Sequence, residues 1–227
     1  MQSRRRSGRK NCSLAFTVAV LLAAGGCQSA SYLRQRGVEA FEVGRYERAG
    51  KLLTTAAEKD PSNWYTHYYL GMAHLELSRP LEAQLELEMA EGVRPDNSVM
   101  PQILDGLAES IYQQGDSAAL YALLTRACKD RGTTYDFLRQ AKYLALIGDA
   151  DSARSALRKA THFAPVDDVT PYLATADFYE LIGDGPNAVM ALRRALSIEP
   201  DSTNIKNRLR GHGVIPGPTI ELAPEPR

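Results

Sequence analysis

Pro61 and Pro95 stand 34 residues apart, and each closes a stretch of chain with the same succession of small and apolar residues. Laid one over the other, Leu33, Gly37, Ala40, Ala49, Leu53, Ala56 and Pro61 fall on His67, Gly71, His74, Ala83, Leu87, Ala90 and Pro95. A period of this length constrains the fold more tightly than composition does. One unit is too short to bury an apolar face alone, so successive units have to stack and share a core. Within each unit the apolar residues recur at three- and four-residue spacing, which is helical, and no useful run alternates as a half-buried strand would. The expected fold is all-α, an array of helix pairs.

Three further units follow. The fourth runs from Phe137, Ala141 and Leu144 through Gly148, Ala153, Leu157 and Ala160 to Pro165, and the fifth from Tyr172, Ala176 and Tyr179 through Gly183, Ala188, Leu192 and Ala195 to Pro200. The one extra residue between them belongs in the connection at residues 166–169, where it leaves both helices in phase. The third unit is degenerate: Leu104, Leu107, Ala108 and Ile111 give one stripe, Leu120, Leu124 and Ala127 another, and Gly132 takes the place of the closing proline. Gly44, Gly115, Gly148 and Gly183 fall where the first helix of a unit has to stop, since glycine accepts the left-handed conformation that ends a helix. Asp116, Asp149 and Asp184 follow directly and read as caps. Pro80 and Pro186 suit the first turn of a second helix, and Pro101 opens the first helix of the third unit.

This pattern resembles the tetratricopeptide repeat, in which a helix A, a tight turn and a helix B precede a proline. Its small residues stand at the eighth, twentieth and twenty-seventh positions, here Gly37, Ala49 and Ala56 in the first unit and Gly71, Ala83 and Ala90 in the second. The resemblance implies a helical-hairpin solenoid of about five repeats plus a short capping helix, serving as an interaction surface for a protein or peptide. It further implies that the second, fifth, ninth and twelfth positions of helix A form a concave wall. On that count the groove residues are Tyr65, Tyr68, Met72 and Leu75, with Arg34 and Phe41 on one side and Tyr112 and Glu109 on the other. The lysine and asparagine pattern with which chaperone-binding repeats clamp a terminal carboxylate is absent, since Tyr68 and Met72 stand in its place. The expected ligand is a hydrophobic or aromatic-rich segment. The alternative is that Tyr65 and Tyr68 are plain core.

Residues 1–26 read as an address. Arg4, Arg5, Arg6, Arg9 and Lys10 form a basic head without acids, and residues 14–24 are apolar or small apart from Thr17. That run is too short to span a bilayer and fits a signal peptide core. Leu22, Ala23, Ala24, Gly25, Gly26 and Cys27 resemble the bacterial lipobox, which implies that Cys27 is acylated and becomes the mature N-terminus; Ala24 departs from the leucine preferred there. Ordinary signal cleavage beside an uninvolved Cys27 is the alternative. The expected product is a lipoprotein facing the periplasm, with Gln28 favouring the outer membrane. The whole chain has 27 basic and 27 acidic residues; losing five basic ones with the signal leaves 22 against 27, a net charge of −5. That sign argues against nucleic acid as a partner.

Residues 27–210 make up the repeat domain, ending in a capping helix at residues 201–210 that carries Ile205 and Leu209 on one stripe. Residues 211–227 are rich in proline and glycine and should be extended or mobile, as a bare terminus or a short docking peptide. Cys12 leaves with the signal, so Cys128 is the lone remaining thiol, read as a small buried hydrophobe. His67 and His74 share a helix face but lie about 10 Å apart along it, too far to clamp one ion. No phosphate loop, nucleophile elbow or paired metal-ligand spacing appears, so no catalytic residue, metal or cofactor is expected. The function this leaves is an envelope interaction scaffold. Its alternatives are a self-associating or wall-tethering lipoprotein and an accessory subunit of an envelope enzyme.

Overall fold

The computed structural model describes residues 29–93, 96, 98–217 and 221–223. The expected signal peptide, the acylation site Cys27, Gln28, and the prolines Pro95, Pro218, Pro224 and Pro226 lie outside the described residues. Eleven helices and no strand occur among the described residues. They pair as α1 (Ala30–Glu42) with α2 (Tyr46–Lys59), α3 (Trp64–Glu76) with α4 (Pro80–Gly92), and α5 (Met100–Gln114) with α6 (Ser117–Asp130). Then come α7 (Thr134–Leu146) with α8 (Ala150–Phe163), α9 (Thr170–Leu181) with α10 (Gly185–Ile198), and a single closing helix, α11 (Thr203–Gly211).

The small residues do the steric work the repeat assigns them. A Cβ added at Gly37 would lie 2.6 Å from Leu53 Cγ, and one at Gly71 would lie 2.6 Å from Leu87 Cγ, so the leucine of helix B occupies the space a side chain on helix A would need. Ala49, Ala83, Ala153 and Ala188 are wholly buried where helix B crosses helix A, and Ala56, Ala90, Ala160 and Ala195 are wholly buried about two turns further along the same face. The core is a seam between the two helix layers, continuous through units two to four and closed at the far end by Ile205 and Leu209 of α11, both fully buried.

The turns obey the same logic. Gly44, Gly115, Gly148 and Gly183 take φ of +73°, +74°, +85° and +76°, and Ser78 takes the equivalent place in unit two at φ +56°. Asp116, Asp149 and Asp184 each accept a hydrogen bond from the backbone N–H three residues on and cap α6, α8 and α10. In the first two units Arg45 and Arg79 stand at that position and make no side-chain cap. Pro101 lies in the first turn of α5, Pro80 in that of α4 and Pro186 in that of α10. The degenerate third unit keeps both helices, but α5 packs more closely on α4 than on its own partner α6, and the added residue before unit five is taken up in the connection at residues 164–169.

Differences from expectation sit at the C-terminal end. The closing helix starts at Thr203 and takes in Gly211, and the chain breaks from it at Gly213, φ +77°. The tail is also held at two points: Val214 packs on the core of the last unit and its N–H donates to the Leu209 carbonyl at 2.9 Å, and the Leu222 N–H donates to the Arg193 carbonyl at 3.3 Å. Val214 finds apolar surface at the open end of the solenoid, whereas Leu222 is tied to the array through its backbone. Cys128 is half-buried with its Sγ 3.5 Å from Gln140 Oε1, and burial pushes its thiol up to about 11. No helix among the described residues is long and apolar enough to cross a membrane.

Candidate functional site

Helices α3, α5, α7 and α9, the first helices of units two to five, line one side of the stack with two adjoining hollows. The more apolar one, a cleft of about 400 Å³ between α5, α7 and α9, is lined by Tyr135, Leu138, Ala141, Ala145, Leu146, Leu157, Ala174, Phe178 and Leu181. Its rim is unusually apolar for solvent-facing surface: Tyr135 is 64% exposed, Leu181 56% and Leu146 40%. Asp105, Arg139, Lys142, Thr170 and Asp177 supply the polar groups. The neighbouring hollow, about 470 Å³ between α3, α5 and α7, is lined by Tyr68, Met72, Leu75, Glu76, Gln102, Glu109, Gln113 and Tyr143, and shares Asp105 and Lys142 with the first. Gly106 lies on its floor, where a Cβ would meet Leu87 Cδ1 at 3.0 Å and Met72 Sδ at 3.3 Å.

An ionic cluster centred on the buried Arg139 and Asp136, with Asp105 at its exposed edge, sets the wall between the hollows. Arg139, 4% exposed, donates through Nε to Asp105 Oδ1 at 2.6 Å, through one terminal nitrogen to Asp136 Oδ1 at 2.9 Å, and through the other to the Pro101 carbonyl at 3.0 Å. All three directions of its guanidinium are satisfied, so α7 is fixed to α5. Burial alone would raise the Asp136 carboxyl, but hydrogen bonds from Thr133, Arg131 and Arg139 outweigh it and hold the group below the usual carboxylate range. Tyr143 donates to Glu109 Oε2 at 2.9 Å, and burial followed by the Glu109 charge pushes its phenol well up. Tyr68 is likewise raised, first by burial and then by Asp105. These phenols stay neutral donors across the physiological range.

Of the groove residues read from the sequence, the structure brings Tyr68, Met72, Leu75 and Glu109 together in the second hollow. The others lie elsewhere. Tyr65 is 37% exposed with its ring 4.7 Å from Tyr69 and 5.4 Å from Trp64. Phe41 packs edge-on to Tyr46 and Tyr69 at 5.4 Å each, against the core of the first unit. Arg34 pairs with Asp60 at 3.5 Å, and the Tyr112 ring sits 5.8 Å from Tyr143. The sequence reading missed the apolar cleft. Tyr135, Leu138, Lys142 and Ala145 are the second, fifth, ninth and twelfth positions of unit four, counted from Phe137 as the fourth, so the same register carried further along the chain finds them.

The histidines are structural. His67, 2% exposed, has Nε2 2.9 Å from the Pro61 carbonyl and Nδ1 2.7 Å from Glu86 Oε2, tying the connection before α3 to α4. His74 is held below the ordinary imidazole range mainly by burial, against the opposing pull of Glu86 and Glu82. Among the described residues no group of three His, Cys, Asp or Glu side chains converges to hold a metal ion.

The sequence matches no protein-family model and no curated protein. Solved structures give the fold. TTC0263, a thermophilic TPR protein of Thermus thermophilus, is similar at a TM-score of 0.56 and 19% identity over 81% of this chain and 98% of its own. A tetratricopeptide repeat protein from Parabacteroides merdae gives 0.59 at 16% identity, over 88% of this chain and 76% of its own. YrrB, a TPR protein with an unusual peptide-binding site, gives 0.50 at 20% identity, over 86% and 98%. The chain has the tetratricopeptide-repeat fold, a helical-hairpin solenoid.

Proposed function

We propose that this chain is a non-catalytic interaction scaffold whose groove holds a segment of a partner protein by its large apolar side chains. The observation that carries this reading is the cleft between α5, α7 and α9, where Tyr135, Leu146 and Leu181 keep apolar surface in water on a wall already fixed by the Arg139 cluster. A preformed apolar cleft with a few fixed polar groups suits a peptide, because little ordering is left to be done on binding. The adjoining hollow, with Tyr68, Met72 and the acids Glu76 and Glu109, extends the same track for a longer segment. The aromatic and thioether side chains there give broad contact at low entropic cost. The proposal also places the array at a membrane: Cys27 carries the acyl chains, residues 1–26 direct export, and the partner lies in the cell envelope.

The test is capture by cross-linking in intact cells with the full chain and a Tyr135→Ala, Leu181→Glu double variant. Both side chains are largely exposed, so the thermal melt should stay put while partner recovery falls about tenfold or more. Unchanged recovery sinks the groove. The anchor is tested separately by palmitate labelling, which is expected in the wild type and absent in Cys27→Ser.

A further inference from the structure

Helix α4 is apolar on two opposite faces. One carries Ala83, Leu87 and Ala90, all fully buried against α3 and the core. On the other stand Leu81, Leu85 and Met89, exposed by 68%, 58% and 40%. A step of four residues advances about 40° past a full helical turn, so the three form one outward stripe, prolonged by the exposed Val93 just beyond the helix. A single exposed leucine is ordinary, but a contiguous stripe of this kind marks a contact surface. It lies on a second helix of the hairpins, away from the groove formed by the first helices.

The charges around the stripe select its occupant. Glu82 and Glu88 flank it on either side, each about 60° from Leu85 around the helix. Among the described residues neither is in an ion pair with a lysine or arginine, and Glu88 only accepts from Gln84 at 2.7 Å. The other acids of α4 are engaged, Glu86 by His67 at 2.7 Å and Glu91 by Arg126 of α6 at 3.1 Å. A second copy pairing through the same face would set these flanking glutamates against each other, and an anionic membrane surface would meet the same repulsion. We infer that the outer face of α4 is a second docking surface, and that it takes an amphipathic helix of a partner protein whose apolar stripe is bordered by lysine or arginine. Leu81, Leu85 and Met89 pack against that stripe, and Glu82 and Glu88 fix its register.

The test uses two fluorescein-labelled synthetic helical peptides of about five turns, with the same leucine stripe, one flanked by lysines and one by glutamates. Anisotropy with the full-length chain should show the lysine peptide binding at least about tenfold tighter, which is about 1.4 kcal/mol. Leu85→Ser should weaken it by a similar factor without moving the thermal melt, and Glu82→Lys with Glu88→Lys should reverse the preference between the two peptides. Leu181→Glu, in the groove, should leave binding to both unchanged. Equal affinity for the two peptides, a loss confined to Leu181→Glu, a dimer that Leu85→Ser dissolves, or adsorption to phosphatidylglycerol vesicles through this face would each overturn the assignment.

Discussion

Ser78 takes φ +56° at the turn where the four other units place glycine at φ between +73° and +85°. The left-handed region costs a residue with a Cβ about 1–2 kcal/mol, whereas glycine enters it freely at the expense of a more disordered unfolded chain. Ser78 is exposed, and its N–H donates to the Leu75 carbonyl at 3.0 Å, a backbone bond that glycine would keep. Ser78→Gly should therefore stabilise the protein by about 0.5–1 kcal/mol, read as a higher urea midpoint at unchanged slope. Asp136 works in the opposite sense. It is 1% exposed and accepts from Thr133, Arg131 and Arg139. Its carboxyl is held below its unfolded value of about 3.9, so the stabilisation is fully present above that pH and is lost as pH falls through the folded value. Asp136→Asn, which leaves a buried guanidinium short of one partner, should cost about 3 kcal/mol at pH 7. The gap between wild type and variant should narrow toward pH 3, and a gap that is constant with pH would mean the charge plays no part.

At the scale of the helix pair, packing depends on alanines too small to hold the helices apart. Ala153 and Ala188 are wholly buried at equivalent crossings of α8 on α7 and α10 on α9. Leucine at either should overpack its hairpin by about 1–3 kcal/mol, and circular dichroism melts unchanged in both variants would refute the register. This level was legible in the sequence because the steric requirement repeats: Gly37 and Gly71 have to be small for the reason Ala49 and Ala83 do, and the period exposes it. The aspartate caps were legible for a similar reason, since a cap bonds three residues away along the chain. The Arg139 cluster was not. It joins residues 34 and 38 apart, and a charged residue on a helix reads as solvent-facing until its spatial neighbours are known. The outward stripe of α4 was hidden as well, because Leu81 and Leu85 stand among Glu82, Glu86 and Glu88, and a charge-rich helix face reads as merely solvated until the exposure of each side chain is known. Tyr68, Met72 and Leu75 follow from the register of unit two, and the same register in unit four reaches Tyr135, Leu138, Lys142 and Ala145, whereas Leu157, Phe178 and Leu181 join the cleft only once neighbouring units stand side by side.

At the scale of the whole molecule each hairpin touches chiefly its neighbours, so stability is passed along the stack and the ends decide where it frays. The C-terminal end is closed by α11, whose Ile205 and Leu209 are fully buried against Tyr172, Leu192 and Leu196 of unit five. Arg208 fastens the same helix to α9, donating to Asp177 at 2.6 Å and Glu180 at 2.9 Å, and His212 Nε2 meets Glu180 at 2.9 Å. Arg208, Glu180 and His212 are partly buried and Asp177 is exposed, so these pairs add to a cap whose core is the two fully buried apolar side chains. Leu209→Ala should cost about 2–5 kcal/mol, and because the loss falls on one end it should be spent locally. Hydrogen exchange is expected to show amides of α9, α10 and α11 losing protection while those of α1 to α4 keep theirs. The cleft borders α9 through Phe178 and Leu181, so the same variant should weaken partner capture at a temperature where the N-terminal units are still intact. Uniform loss of protection from α1 to α11 would instead mean that the array folds as one cooperative block, with the capping helix supporting every unit alike.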